Sequence, residues 1–279
     1  MLNDFLKLRH KELKTFKEFE VEIKKINQFY KELKVKKRTL FSPVLYRGQT
    51  DSGWKLKTTM ERVSNFPVRM DGYYQKVRNI WKEVEIFTDT KWNLDNIDFN
   101  KRPWESPNLP MYEFMVYLRH HSFPSPLLDW TESPYIAAFF AFSDIAKIES
   151  SIGAADRRVA IFVLIEDLGE GKSGRKDESQ IESLGPNIGA HKRHYFQQCW
   201  YTICVKKVNN IFHYVSHEDV FERKSEHQDI LIKYSIPLSE LDEALKRLNS
   251  MNINAYSLFR SNESLMHHLA VKSFCSESI

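Results

Sequence analysis

No stretch of this 279-residue chain reaches the roughly 18 apolar residues that a bilayer-spanning helix needs. Its start, MLNDFLKLRHKELK, carries charges every few residues and lacks the apolar segment of a signal peptide. The expectation is a cytoplasmic protein with no membrane partner. Cysteine is scarce: Cys199, Cys204 and Cys275 are an odd number with no CxxC pair. That argues against a disulfide framework and a structural zinc site, and predicts reduced thiols. GxxxxGK[ST], GxGxxG, HExxH and GxSxG are all missing, so no standard phosphate, dinucleotide, zinc or serine-hydrolase motif is present. Ten histidines are scattered through the chain, and the two adjacent pairs, His120–His121 and His267–His268, would diverge by about 100° on a helix. Neither pair can face one metal, so no metal ligands are assigned. No carboxylate cluster suggests a metal-dependent nuclease.

What the chain does have is the composition of a globular domain, 42% hydrophobic and 28% charged. Aromatic residues make up 13%, which points to a ring-rich core or binding surface. A net charge of +4 permits a nucleic-acid partner without demanding one. Residues 15–33 place Phe16, Phe19, Val21, Ile23, Ile26, Phe29 and Tyr30 on a broad helical stripe, with Thr15 and Glu18 in the form of a capping box. The cluster Lys34, Lys36, Lys37 and Arg38 follows as a solvated basic surface, with a phosphate contact as the sharper alternative. PVLYRGQ reads as a strand, 72–88 as a helix, and a second helix starts near Tyr112 and ends before Pro124. SPYIAAFFAFSDIA is a helix with Ser133 at its N-cap and Pro134 at its first position. RRVAIFVLIE is a strand buried on both faces, 166–190 a long loop, and YFQQCWYTICV and HQDILIKYSIP are further strands. LSELDEALKRLNSMNI is an amphipathic helix capped by Ser239. The order predicts an α+β fold: an N-terminal helical segment, 1–40, and a domain over 41–279, packed as one compact unit.

Three polar sites interrupt apolar strand settings. Arg47 leaves VLY beside Gly48, where a planar guanidinium can meet a phosphate or carboxylate. Asp129 and Trp130 lie in PLLDWT, the aspartate needing a partner if it is buried. Gln197 and Gln198 stand where apolar residues would pack better. A structural network, with Arg47 and Asp129 as an internal ion pair, is the plainer account of all of them.

YRGQ, with Tyr46 for phenylalanine, resembles the Phe-Arg-Gly motif of the FRG domain family. RHHSFPSPLLDWTESPYIAAFFA resembles the family's second block, QHxGxPTRLLDWTxxPxxAxxFA, departing at Arg119, Ser122 and Pro126. RHYFQQCWY is similar to a third block, RIxxQxGxF, at Arg193 and Gln197, with Cys199 and Tyr201 as departures. The likeness runs over about residues 15–270 and implies a looser one to the ADP-ribosyltransferase fold, a mixed sheet with flanking helices. It implies NAD as substrate, held by Tyr46, Arg47, Gly48, Gln49 and His120, with Trp130, Thr131 and Ser133 in the second block. Arg47, Gln197 and Asp129 become the candidate catalytic residues. Gln197 occupies the late-strand place where that fold carries glutamate, and an amide cannot bring the negative charge that an oxocarbenium-like centre calls for. Asp129, Glu132 or Glu263 could supply it, or the acceptor could come with its own general base.

The function implied is an NAD-dependent ADP-ribosyltransferase acting as a bacterial toxin or antiviral effector, with a neutralising antitoxin as partner. Basic clusters at 34–38, 119–121 and 191–194, interleaved with rings, suit a nucleic-acid acceptor, RNA favoured. The alternatives are a non-catalytic nucleotide- or nucleic-acid-binding module on the same fold, or a transferase acting on protein.

Overall fold

The computed structural model describes residues 10–36, 42–92, 109–143, 157–166, 178–186, 192–221 and 229–274. The elements are β1 (His10–Glu12), α1 (Phe16–Lys36), β2 (Leu45–Gln49), β3 (Val68–Arg69), α2 (Met70–Thr88), α3 (Tyr112–His120) and β4 (Leu128–Thr131). They continue with α4 (Pro134–Phe142), β5 (Arg158–Ile165), β6 (Gln180–Leu184), α5 (Lys192–Phe196), β7 (Cys199–Val208) and β8 (Ile211–Tyr214). The last are α6 (Glu218–Phe221), β9 (Ile230–Pro237), α7 (Leu241–Ser250), α8 (Ala255–Phe259) and α9 (Asn262–Phe274). The strands described form one mixed sheet in the order β1-β9-β5-β2-β4-β7-β8-β3, with β6 on the other edge of β7. Only the β1–β9 pair is parallel among the pairs described. This is the mixed α+β unit that the order of sequence elements predicts.

The continuous apolar run of β5 is explained by its place in the sheet. It pairs with β9 from Arg158↔Pro237 to Ile165↔Ile230 and with β2 from Leu45↔Leu164 to Gln49↔Ala160, and both of its faces are covered. On one face, Ile161, Val163, Tyr46 and Tyr234 pack under Phe16, Phe19, Ile23 and Ile26 of α1, the apolar side of α4, and Ala244 and Leu248 of α7. The N-terminal helix therefore shares a core with the rest of the chain. Further along the same face, Cys199, Tyr201, Ile203 and Val205 of β7 pack under α2 and α3. The opposite face holds a smaller cluster of Leu45, Leu56, Leu128, Trp130, Phe162 and Leu164.

Local signals hold at several ends and shift at others. Ser133 Oγ accepts from Ile136 N at 3.3 Å with Pro134 at the first turn, as expected for α4. Thr15 Oγ1 accepts from Glu18 N at 3.2 Å, but the Glu18 carboxylate takes Lys14 N at 2.7 Å instead of closing the capping box. Ser239 sits inside a short 3-10 turn, and α7 starts from Glu240 without a side-chain cap. The Glu240 carboxylate instead accepts from Phe16 N at 2.9 Å, capping α1 from across the sequence. The 166–190 stretch, read as loop, supplies β6, because its alternating side chains find the free edge of β7. LDWT, the apolar setting of Asp129 and Trp130, is a central strand, too short to announce itself by alternation. The basic cluster begins inside the last turn of α1, where Lys34 Nζ sits 5.0 Å over the Tyr30 ring, while Lys37 and Arg38 lie outside the described residues. Among the described residues no helix is long and apolar enough to cross a membrane.

Candidate functional site

β2 pairs with β5 at five positions but with β4 at only one, Tyr46↔Thr131. Beyond that position the two central strands part, and Arg47 emerges at the parting. Its Nη1 donates to the Asp129 carbonyl oxygen at 2.7 Å, tying the strands where ladder hydrogen bonds are lost. The same nitrogen lies 3.7 Å from Asp129 Oδ2, which also accepts from Nη2 of Arg119 at the end of α3. The sequence-level pairing of Arg47 with Asp129 is therefore present, with Arg119 as the closer partner of the carboxylate. Burial pushes the Arg47 guanidinium down to about 10, opposed by Asp129 and reinforced by the like charges of Arg119 and Arg62. It stays protonated at neutral pH. Arg47 Nε, Arg119 Nε, Tyr46 Oη and Gln49 Oε1 are buried without a hydrogen-bond partner among the described residues, so this polar network is incomplete.

The strand parity of β4 splits its residues between roles. Asp129 and Thr131 face the helices, while Trp130 turns to the other side and is 3% exposed. The Trp130 indole donates to Thr202 Oγ1 at 2.9 Å, and Thr202 meets Nε2 of the buried His217 at 2.8 Å. Burial, with the Arg47 charge second, holds His217 down to about 3, so this relay under the parting is neutral. Thr131 Oγ1 donates to the Gln197 carbonyl at 2.7 Å and accepts from Ser133 N at 3.1 Å, fastening β4 to the turn before β7. Gly48 is explained by packing: a Cβ there would lie 1.9 Å from the Ala137 carbonyl oxygen and 2.6 Å from Ala141 N. Its missing side chain makes room for α4.

Gln197 stands in the turn between α5 and β7, two residues before the strand begins. Its amide nitrogen donates to the Leu258 carbonyl at 3.2 Å, and its amide oxygen lies 3.7 Å from Cys199 Sγ. Both ends of the amide are thus occupied by protein. Burial, then the Asp129 charge, pushes the Cys199 thiol up to about 12, leaving it a packing residue. His120 Nε2 meets Tyr201 Oη at 2.9 Å, and the His194 ring lies 5.6 Å from that of Tyr201. Burial, then the neighbouring His120, holds His194 down to about 4.

These residues surround a cavity of about 400 Å³ between α4, α5 and α8 on one side and the end of α3 on the other. Tyr46, Arg47, Gly48, Gln49, His120, Asp129, Trp130, Thr131 and Gln197 all line it. Ser133, Glu132 and Glu263 do not: Ser133 caps α4, and the Glu132 carboxylate accepts from the half-buried Trp200 indole at 2.5 Å. Sequence reading left out Arg62, Trp54, Phe140 and Phe259 as lining residues, and Arg62 carried no local signal at all. Arg119 and Arg193 were visible as a departure and a match in the family blocks. Among the described residues around the cavity, four guanidinium groups, Arg47, Arg62, Arg119 and Arg193, face the single carboxylate of Asp129, with rings of Trp54, Phe140 and Phe259 in the wall. Among the described residues no cluster of histidine, cysteine, aspartate or glutamate is arranged to hold a metal.

In comparisons with known proteins, residues 42–150 match the family model of the FRG domain. No curated protein and no solved structure matches the chain.

Proposed function

The chain carries an FRG domain over residues 42–150, and on that premise we propose that the cleft binds NAD and transfers its ADP-ribose to a nucleic acid, RNA favoured. The observation that carries this is the charge of the cavity. Four guanidinium groups against one carboxylate leave an excess of three positive charges in a space of about 400 Å³ walled by aromatic rings. Planar guanidinium forks match the oxygens of a pyrophosphate, and Trp54, Phe140 and Phe259 offer faces for heterocyclic rings. The volume falls in the range of small-molecule sites, about 300–1,000 Å³.

The transfer breaks the bond between nicotinamide and ribose, with its electron pair leaving on nicotinamide, and a nucleophile of the acceptor then bonds to the ribose carbon and gives up its proton. The protein's task is to hold the pyrophosphate and to set negative potential beside the developing ribosyl cation. Asp129 is the one carboxylate in the wall among the described residues, and Arg47 and Arg119 orient it. Gln197 acts through its backbone, whose carbonyl fixes Thr131. An activity that consumes NAD fits an effector held in check by a neutralising antitoxin.

The second reading is a nucleotide-sensing module without turnover, favoured by the engagement of both ends of the Gln197 amide and by the tethering of Asp129 to two arginines. Calorimetry with NAD, followed by incubation with RNA, DNA and protein and mass spectrometry of each, separates the two. Transfer expects an ADP-ribose adduct on RNA. Binding without any adduct moves the conclusion to the sensor, and an adduct on protein alone moves the acceptor. No NAD binding by folded protein sinks both. Arg47→Ala is expected to weaken NAD binding about 10- to 100-fold through loss of charge-assisted hydrogen bonds.

A further inference from the structure

We propose that the outer surface of α5 and α8 is a stacking platform that seats a single strand of RNA at the mouth of the cleft. Helix α5 turns its Tyr195 ring to solvent at 82% exposure, an unusual position for a large ring on a five-residue helix. The Phe196 ring stands 6.0 Å from it. Arg260, exposed at the end of α8, lies 5.1 Å over the Phe196 ring and 5.3 Å over Tyr256, itself 39% exposed. The series continues inward, because Arg193 lies 5.7 Å over Phe259, and both residues line the cavity. Rings and guanidinium planes therefore form two groups on α5 and α8, one at the surface and one in the wall of the site.

The chemistry of these groups selects the occupant. Exposed rings offer faces on which any base can stack, and a guanidinium lying flat on a ring presents a second flat face with a positive charge. Lys192 adds a further exposed cation on α5. Glu263, on the first turn of α9, is the acid whose field reaches Arg193. A protein partner would want a broad apolar patch, whereas these rings alternate with cations in a narrow strip. A duplex keeps its bases stacked on each other and offers only edge and backbone, so the strip suits an unpaired strand. Unpaired loops and ends are the ordinary state of RNA, and RNA is the occupant to which the proposal commits.

The proposal rests on the reading of the cleft as the place of transfer, and the two fail separately. Fluorescence anisotropy with a labelled 15-nucleotide RNA tests the platform, on wild type, Tyr195→Ala and Arg260→Ala, each checked for folding by thermal melting. Wild type is expected to bind the single strand, more weakly as salt rises. Each variant is expected to lose about 10-fold in affinity. Equal affinity in the variants, equal affinity for the matching duplex, or tighter binding of the DNA strand would each overturn it. NAD binding of wild type is measured alongside. RNA binding without NAD binding overturns the cleft reading and leaves the platform, and NAD binding with no RNA binding does the reverse.

Discussion

Asp129 and Gly48 stand on the same face of the sheet, yet they answer to different constraints. The Asp129 side chain is one-third exposed and borrowed by two arginines. Replacing it with asparagine keeps the shape and a hydrogen-bond acceptor, so Asp129→Asn is expected to stay folded, to keep NAD binding, and to lose ADP-ribosyl transfer by about 100-fold or more for want of the negative charge. Thermal melting, calorimetry and mass-spectrometric turnover measure the three. Gly48→Ala has no such tolerance, because the added carbon meets helix backbone and not the end of a flexible side chain. It is expected to cost about 3 kcal/mol in a urea titration. Arg47→Lys is not a conservative change here, since an ammonium cannot span from the Asp129 carbonyl to a ligand as a fork can.

The buried histidines belong to the same scale. His217 and His194 are held down to about 3 and about 4, whereas in the unfolded chain each titrates near 6.5. Below that pH the unfolded state takes up protons that the folded state refuses. Stability is therefore expected to fall as pH drops from about 6.5 toward 4, by about 1.4 kcal/mol per pH unit for each histidine. The carboxylates with lowered values, Glu22, Asp71, Glu85 and Glu263, add their loss only below the ordinary carboxylate range. Urea midpoints between pH 5 and 7 isolate the histidines, and a flat profile there contradicts their burial as neutral rings.

Among the elements, the hairpin β7–β8 shows how much a turn can decide. Val208 pairs with Ile211 across Asn209 and Asn210, whose φ angles are 49° and 66°. Both in the left-handed region is the signature of a type I′ turn, which asparagine tolerates and branched residues do not. Asn210→Val is expected to destabilise the protein by about 1–2 kcal/mol, read from the urea midpoint. Elements with local signals were legible in this way: α4 from its serine cap and following proline, α1 from its aromatic stripe, β5 from its unbroken apolar run. Elements defined by partners were not. β4 has four residues, β3 has two, and β6 lies in a stretch rich in turn formers, so each becomes a strand only where an existing edge accepts it. The Ser239 cap failed for a related reason: the chain enters α7 through a 3-10 turn, and Glu240 serves α1 instead.

At the scale of the whole molecule, the cleft exists because two groups of helices cover the same face of one sheet and leave a gap where β2 and β4 part. A ligand bound only by the folded form stabilises it, so NAD at 100 times its dissociation constant is expected to raise unfolding free energy by about 2.7 kcal/mol. A thermal shift measured against NAD concentration checks this, and for Arg47→Ala at the same concentrations the gain is expected to shrink to about 0.4–1.4 kcal/mol. The sequence by itself determined the class of fold, the family of residues 42–150, and much of the wall: Arg47, Asp129 and Gln197 were visible because polar residues in apolar strands must have a reason, and Thr131 through the family block. Only the tertiary structure decided which of them present a free group to the cleft. It turned Trp130 to the far face by strand parity, spent the Gln197 amide on Leu258 and Cys199, and left Glu132 and Glu263 outside the wall. It also brought Arg62 and Arg119 beside Arg47. The physical reason is one of range: capping, periodicity and turns act within a few residues of sequence, while the charge of a cavity is the sum of groups that only the crossing of strands brings together.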